Sequence, residues 1–313
     1  MGGAESLILA TTPLTPHRDP ISAERVRSLI DAAADAGFSG VSIWSAHHDF
    51  AVADGMSSEA YFDYHRERGL SVPASEVVME QWATSDRQAV ADTNTHILDV
   101  SARAGASSVI TAFIEPELPS FSEAAAGLAV LCDLAAERGV AISLEFLPFS
   151  GIPTIADAVR LVDAADRENL GFVLDTWHWF RQPGGPDVAT LRSIPPERIH
   201  LLQLNDAPVQ PGEDLMMESM NRLLPGEGAV DILEVLDVLD EMGASPPVVS
   251  EVFSMELAAL DPAENARRQY AAASAVLARS SSTVSASAAE IRTAAFENAT
   301  NAAIAPGSAS ERK

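Results

Sequence analysis

Leu134-Ala135-Ala136-Glu137-Arg138-Gly139-Val140-Ala141-Ile142-Ser143-Leu144-Glu145-Phe146 is the stretch on which the fold is decided. A helix-forming Ala/Leu run stops at a glycine, and a short apolar run begins almost at once. Glycine reaches the left-handed backbone conformation that closes a helix, so the helix ends there for a physical reason. The same grammar recurs in Ala32–Gly37 before Gly40–Trp44, in Val100–Gly105 before Ser108–Phe113, and in Leu236–Gly243 before Pro247–Phe253. The runs after each glycine are continuously apolar rather than alternating, as in strands covered on both faces.

Extending the pattern predicts strands at 6–12, 40–45, 76–82, 107–114, 140–147, 170–176, 198–205 and 247–253. Helices are expected at 22–36, 57–68, 86–104, 121–138, 154–165, 187–193, 230–242 and 262–279, the third opened by a Ser85/Gln88 capping box. Eight strictly alternating units argue for a single-domain α/β fold, the closed (β/α)₈ barrel, over residues 1–279. The rival is an open doubly wound sheet. Its phosphate-cradling glycine turn is missing, because the first strand leads into Ala10-Thr11-Thr12-Pro13-Leu14. Residues 280–313 turn to Ser, Ala, Thr and Asn and read as a mobile or weakly helical tail.

Composition narrows the partners. The chain has 313 residues and a formal net charge of −25. Nucleic-acid affinity comes mainly from Lys and Arg displacing counterions, so a nucleic-acid partner is not expected. No apolar run approaches a membrane span, and Met1–Ala10 lacks the pattern of a secretory leader, so a cytoplasmic location is expected. The lone Cys132 lies in an apolar helical run and reads as a core residue.

In a parallel barrel the chemistry sits at the C-terminal ends of the strands, so polar residues interrupting the apolar runs there are the candidates. The fifth strand carries Glu145, the sixth Asp175 with His178 three residues on, the seventh Gln203 and Asp206, and the eighth Glu251. Carboxylates in apolar surroundings cost several kcal/mol unless paired, protonated or metal-bound. Three converging on one mouth repel one another, and a divalent cation resolves the repulsion most simply. Oxygen-rich ligation suits Mg²⁺ or Mn²⁺, with Co²⁺ or Zn²⁺ as alternatives. His200, earlier in its strand, reads as structural.

At these residues the chain resembles the xylose isomerase-like TIM-barrel superfamily, the sugar phosphate isomerases and epimerases related to endonuclease IV. The resemblance covers about residues 6–279. It implies that Glu145, Asp175, Gln203 and Glu251 bind the metal, with Gln203 standing where that family's epimerases carry His. A glutamine carbonyl can serve a hard cation but is a weaker ligand than imidazole. The segment Leu174–His178 resembles one whose His contacts substrate oxygens. Arg222, ahead of Pro225-Gly226-Glu227-Gly228, resembles an Arg that grips a substrate hydroxyl or phosphate.

The mechanism implied by the resemblance is metal-stabilised enediolate chemistry, with Glu145 and Glu251 as catalytic acid and base. Proton return gives a sugar or polyol isomerase or epimerase, and loss of a β-substituent gives a lyase or dehydratase. A repair endonuclease is disfavoured by the few histidines and the acidic excess, while a non-catalytic partner subunit remains the alternative that Gln203 allows. Further substrate contacts are expected at Trp44, His47, Glu80, Trp177 and Asp206, beside His178 and Arg222. Residues Asp49–Glu59 read as a candidate lid. Met216, Met217 and Met220 offer apolar surface for a small carbohydrate-like substrate or for a homo-oligomer interface.

Overall fold

A computed structural model describes residues 7–15, 19–78, 84–118 and 120–280. Glu80 and the tail, both singled out above, lie outside the described residues, apart from residue 280. Eight parallel strands close into one barrel in sequence order. They are β1 (Leu7–Ala10), β2 (Gly40–Trp44), β3 (Ser71–Val78), β4 (Ser108–Ala112), β5 (Ala141–Glu145), β6 (Leu170–Asp175), β7 (Ile199–Leu204) and β8 (Val248–Ser250). Helices between the strands form the outer ring, and a last helix over 262–280 completes it. The expected glycine stops hold: Gly37 ends helix Ala23–Ala36 at φ 102°.

The core has two parts. A large cluster fills the space between barrel and helices. A smaller one, Ile8, Ala10, Ala74, Ile110, Val173, Leu201 and Val249, plugs the barrel interior. Strand side chains alternate, so the residue two places further along each strand faces the same way, one layer higher. That rule carries Ala74 to Glu76, Val173 to Asp175, Leu201 to Gln203 and Val249 to Glu251. Glu145 reaches the same layer from Ser143. A polar layer therefore lies directly on the apolar plug.

Three expectations need correction. The third strand, Ser71–Val78 among the described residues, begins five residues before the expected 76. It contains Pro73, which lacks a ladder donor, and a register shift in the β2–β3 pairing accommodates it. The capping residue of the helix Arg87–Ala104 is Asp86, whose carboxylate accepts from the Gln88 and Ala89 amides, rather than Ser85. Residues 49–59 form no lid loop. Ser45–Ala53 is a helix, and Ser57 caps the next one, Ser58–Glu67.

His200 also departs from a plain strand geometry. A shift in the β6–β7 register falls at this residue. Its ring turns to the barrel floor, where Nδ1 lies 2.9 Å from Ser143 Oγ. A Cβ on Gly171 would come 2.4 Å from His200 Nε2, so that position is closed to any larger residue. The structural reading of His200 stands, and it acts inside the barrel rather than on the outer face.

Candidate active site

The C-terminal mouth holds a cavity of about 260 Å³. Its polar floor is formed by Glu76, Glu145, His178, Gln203, Arg222 and Glu251, and its walls are mostly apolar. Asp175 lies just beneath, fully buried at the end of β6. It also caps the short helix Thr176–Arg181, its Oδ1 accepting from the His178 amide at 2.9 Å. That cap turns the chain immediately after the strand and delivers His178 to the cavity.

Arg222 ties the floor together. Its NH1 donates to Asp175 Oδ2 at 2.8 Å and to Glu251 Oε2 at 3.2 Å. Its NH2 lies 3.2 Å from His178 Nε2. Nε donates to the Ser219 carbonyl, and the guanidinium packs over Trp177 and Phe253. Burial alone would weaken the charge, but Asp175, Glu251 and Glu145 outweigh it and hold the guanidinium above the usual arginine range. Arg222 is thus a fixed internal cation.

Four carboxyl groups face this one guanidinium. Burial pushes the Glu251 carboxyl well above the usual carboxylate range; Arg222 opposes the rise, and Glu145, Glu76 and Asp175 add to it. Burial likewise pushes Glu76 up to about 7, opposed by its hydrogen bond from Thr12 Oγ1 and reinforced by Glu145. Glu145 Oε1 lies 3.4 Å from His178 Nε2. This surplus of negative charge is the situation a divalent cation relieves.

The donor chemistry fits such an ion. Glu145, Asp175 and His178 each place one ligand atom within 4.8 Å of the other two. Gln203 donates through Nε2 to Glu251 Oε1 at 2.9 Å, which leaves its carbonyl Oε1 buried with no hydrogen-bond partner. A buried acceptor of that kind is costly and calls for a cationic or protic partner. Arg222 already draws on Asp175 and Glu251, and it competes with any ion for their lone pairs.

The other expected contacts divide into those at the cavity and those behind it. Trp44 lines the cavity. His47 does not: it is buried behind the wall, Nε2 lying 2.8 Å from the hydroxyl of Thr15, which does line it. Burial, with a smaller contribution from His65, lowers its pKa to about 4 and keeps the ring neutral. Trp177 is fully buried beneath Arg222, its Nε1 donating to Glu218 Oε1 at 3.0 Å.

Asp206 is not a substrate contact either. Its carboxylate accepts from the amides of Ala207, Gly226, Gly228 and Val230, and it is sealed from solvent. An isolated antiparallel bridge joins it to Leu223, beside Arg222. Asp206 therefore positions Arg222 through the backbone. Gly228 is required in this clasp because a Cβ there would lie 2.2 Å from the Ala207 carbonyl. Met216 and Met220 line the cavity, whereas Met217 is exposed.

Sequence reasoning passed over three residues. Glu76 was hidden by the misplaced third strand, although a Glu between Ser75 and Val77 was a visible interruption. Asn205 donates Nδ2 to Asp175 Oδ2 at 2.6 Å and accepts from the Trp177 amide. Glu218 binds both Trp177 and Arg181. Nothing in its local sequence distinguishes Glu218 from an exposed loop acid.

Comparison with known proteins accords with this architecture. A model of the xylose isomerase-like TIM barrel matches residues 30–279. The chain belongs to that family. Among its relatives is an inosose isomerase of Halalkalibacterium halodurans, 32% identical over 131 residues, which are 41% of this chain and 45% of the relative. A 3-dehydroshikimate dehydratase of Pseudomonas aeruginosa is 33% identical over 125 residues, 40% of this chain and 19% of that protein. The matches thus span about half the length of the inosose isomerases or less, and less again of the dehydratase. Among solved structures, the zinc-binding IolI protein superposes with a TM-score of 0.74 at 20% identity, covering 88% of this chain and 98% of that one. That likeness places this family member's fold. No described helix is long and apolar enough to cross a membrane.

Proposed function

We propose that the chain is a divalent-metal-dependent isomerase or epimerase of a neutral, sugar-like ketone, beginning with removal of a proton next to the carbonyl. One observation carries the reading. The polar layer sets Glu145 at the end of β5 and Glu251 directly after β8 around a single cavity, with Asp175 and Gln203 on the strands between. Glu145, Asp175, Glu251 and the Gln203 carbonyl would hold the ion, with His178 beside them. When bound, the ion supplies Lewis-acid polarisation of a carbonyl and an adjacent hydroxyl.

The chain's own residues divide the proton work. Glu145, next to His178 and partly open to the cavity, is suited to accept the proton from carbon. Glu251, on the far side of the cavity floor and oriented by its hydrogen bonds from Arg222 and Gln203, is placed to give one back. Arg222 donates hydrogen bonds along the floor and spreads negative charge that develops above it. The apolar walls, including Ile110, Leu147, Phe149 and Phe253, exclude water and match the C–H face of a ring. The carboxyl-rich floor disfavours an anionic substrate. The inosose isomerase relative supports a cyclic polyhydroxy ketone as the substrate class.

A second reading, dehydration, is favoured by Glu76. With its carboxyl pushed up to about 7, it can carry a proton at neutral pH to a departing hydroxyl. Glu145 would take the C–H proton, the C–O bond would break, and water would leave with the Glu76 proton. The dehydratase relative accords with this outcome. Incubating the Mn²⁺-loaded protein with inososes and keto-sugars in D₂O tests both readings by mass spectrometry. Solvent deuterium gained at unchanged product composition supports isomerisation, and loss of water supports dehydration. Neither product nor exchange with any substrate would refute the shared proton-abstraction step.

A further inference from the structure

We propose that His48, Asp49 and His96 form a binding site for a zinc-class divalent ion on the barrel's outer wall, separate from the mouth. His48 and Asp49 lie on the helix Ser45–Ala53 and His96 on Arg87–Ala104, so the site would join two helices. His48 Nδ1 is 2.9 Å from Asp49 Oδ1, and His96 Nε2 is 2.8 Å from the same oxygen. One ligand atom from each residue lies within 4.8 Å of the other two. Two imidazole nitrogens and one carboxylate oxygen favour Zn²⁺ and its neighbours over Mg²⁺ or Ca²⁺.

The surroundings are those of a prepared ligand. His48 is buried, and its ring stacks on Phe62 at 5.4 Å and meets Tyr61 edge-on. Its far nitrogen, Nε2, is 2.6 Å from Ser58 Oγ. When Nε2–H is given to the hydroxyl, the Nδ1 lone pair is presented to an ion held by Asp49. Asp49 and His96 are partly exposed, at 43% and 59% of their side-chain surface, which gives an ion an entry path and a solvent-facing coordination position. Tetrahedral zinc with bonds near 2.0–2.1 Å spaces its ligands by about 3.3 Å. The present spacings therefore open by roughly half an ångström on binding. The nearby Arg103 cation, which packs on Phe62, is offset by its ion pair with Glu59.

Zinc titration by calorimetry, with melting curves on the same samples, tests the assignment. The parent is compared with His96→Ala, Asp49→Asn, Ser58→Ala and Asp175→Asn. His96→Ala and Asp49→Asn each lose one Zn²⁺ per chain and the zinc-dependent rise in melting temperature that goes with it. Ser58→Ala weakens the same step about tenfold through loss of the outer partner. Asp175→Asn leaves this step intact while removing binding at the mouth, so failure of the catalytic reading and failure of this one are told apart. Metal-free melting temperatures of the exposed-residue variants are expected to match the parent. Unchanged zinc stoichiometry and affinity in both His96→Ala and Asp49→Asn would overturn the proposal, as would loss of all zinc binding in Asp175→Asn.

Discussion

Glu76→Gln makes the protein more stable at alkaline pH and leaves it unchanged in acid. The wild-type carboxyl is displaced from 4.5 to about 7 by burial, so the folded state holds its proton over a range where the unfolded chain has released it. Its contribution is fully present below pH 4.5, falls as pH rises, and is lost once pH passes about 7. The displacement corresponds to about 3 kcal/mol at pH 8. Glutamine keeps an acceptor for the Thr12 hydroxyl and has no proton to lose. For a chain of this size the melting temperature of the variant should exceed the parent's by roughly 5 °C at pH 8 and match it near pH 4.5. Differential scanning calorimetry in chelator, at half-unit pH steps, reads the difference. A pH-independent gap, or a variant less stable than the parent at pH 8, would refute the assignment of Glu76 as a buried, raised carboxyl.

Other substitutions probe the remaining parts of the site. Asp175→Ala removes a partner of Arg222 and of Asn205, and should cost about 3–5 kcal/mol by urea unfolding while abolishing metal binding at the mouth. Gln203→His places imidazole beside Glu251 and should raise preference for Zn²⁺ over Mg²⁺ in a competition titration; unchanged selectivity would remove Gln203 from the ligand set. Gly228→Ala drives a Cβ against the Ala207 carbonyl and should cost more than about 2 kcal/mol, with Arg222-dependent activity falling further than stability explains. Trp177→Phe leaves Glu218 without its indole donor and should destabilise by about 1–3 kcal/mol, measured by thermal melting.

The barrel was legible because helix-stopping glycines and apolar runs are local features, and each strand reports its own burial. Glu145, Asp175, Gln203 and Glu251 were legible for the same reason: each is a polar break in an apolar strand, and the barrel brings such breaks to one layer. Glu76 has the same character, but Pro73 disguised its strand. Asp206 was misassigned because a polar residue near a strand end looks alike whether it faces a ligand or four backbone amides. Its neighbour Gly228, held against it in space but twenty-two residues on, was the missing clue. The role of Arg222 as an internal cation could not be read at all, since it depends on a loop folding back over two strands.

The bridge between Asp206 and Leu223 separates two kinds of change in this protein. The guanidinium is anchored from below by that bridge and from the side by the Arg222 amide on the Phe253 carbonyl. The residues between form an excursion whose ends are already fixed. Lengthening such a loop costs little, since closure entropy grows only slowly with length. Met216 and Met220, which line the cavity from this excursion, are thus the positions free to vary: changing them reshapes the wall of the cavity while the acid, base and cation beneath keep their places.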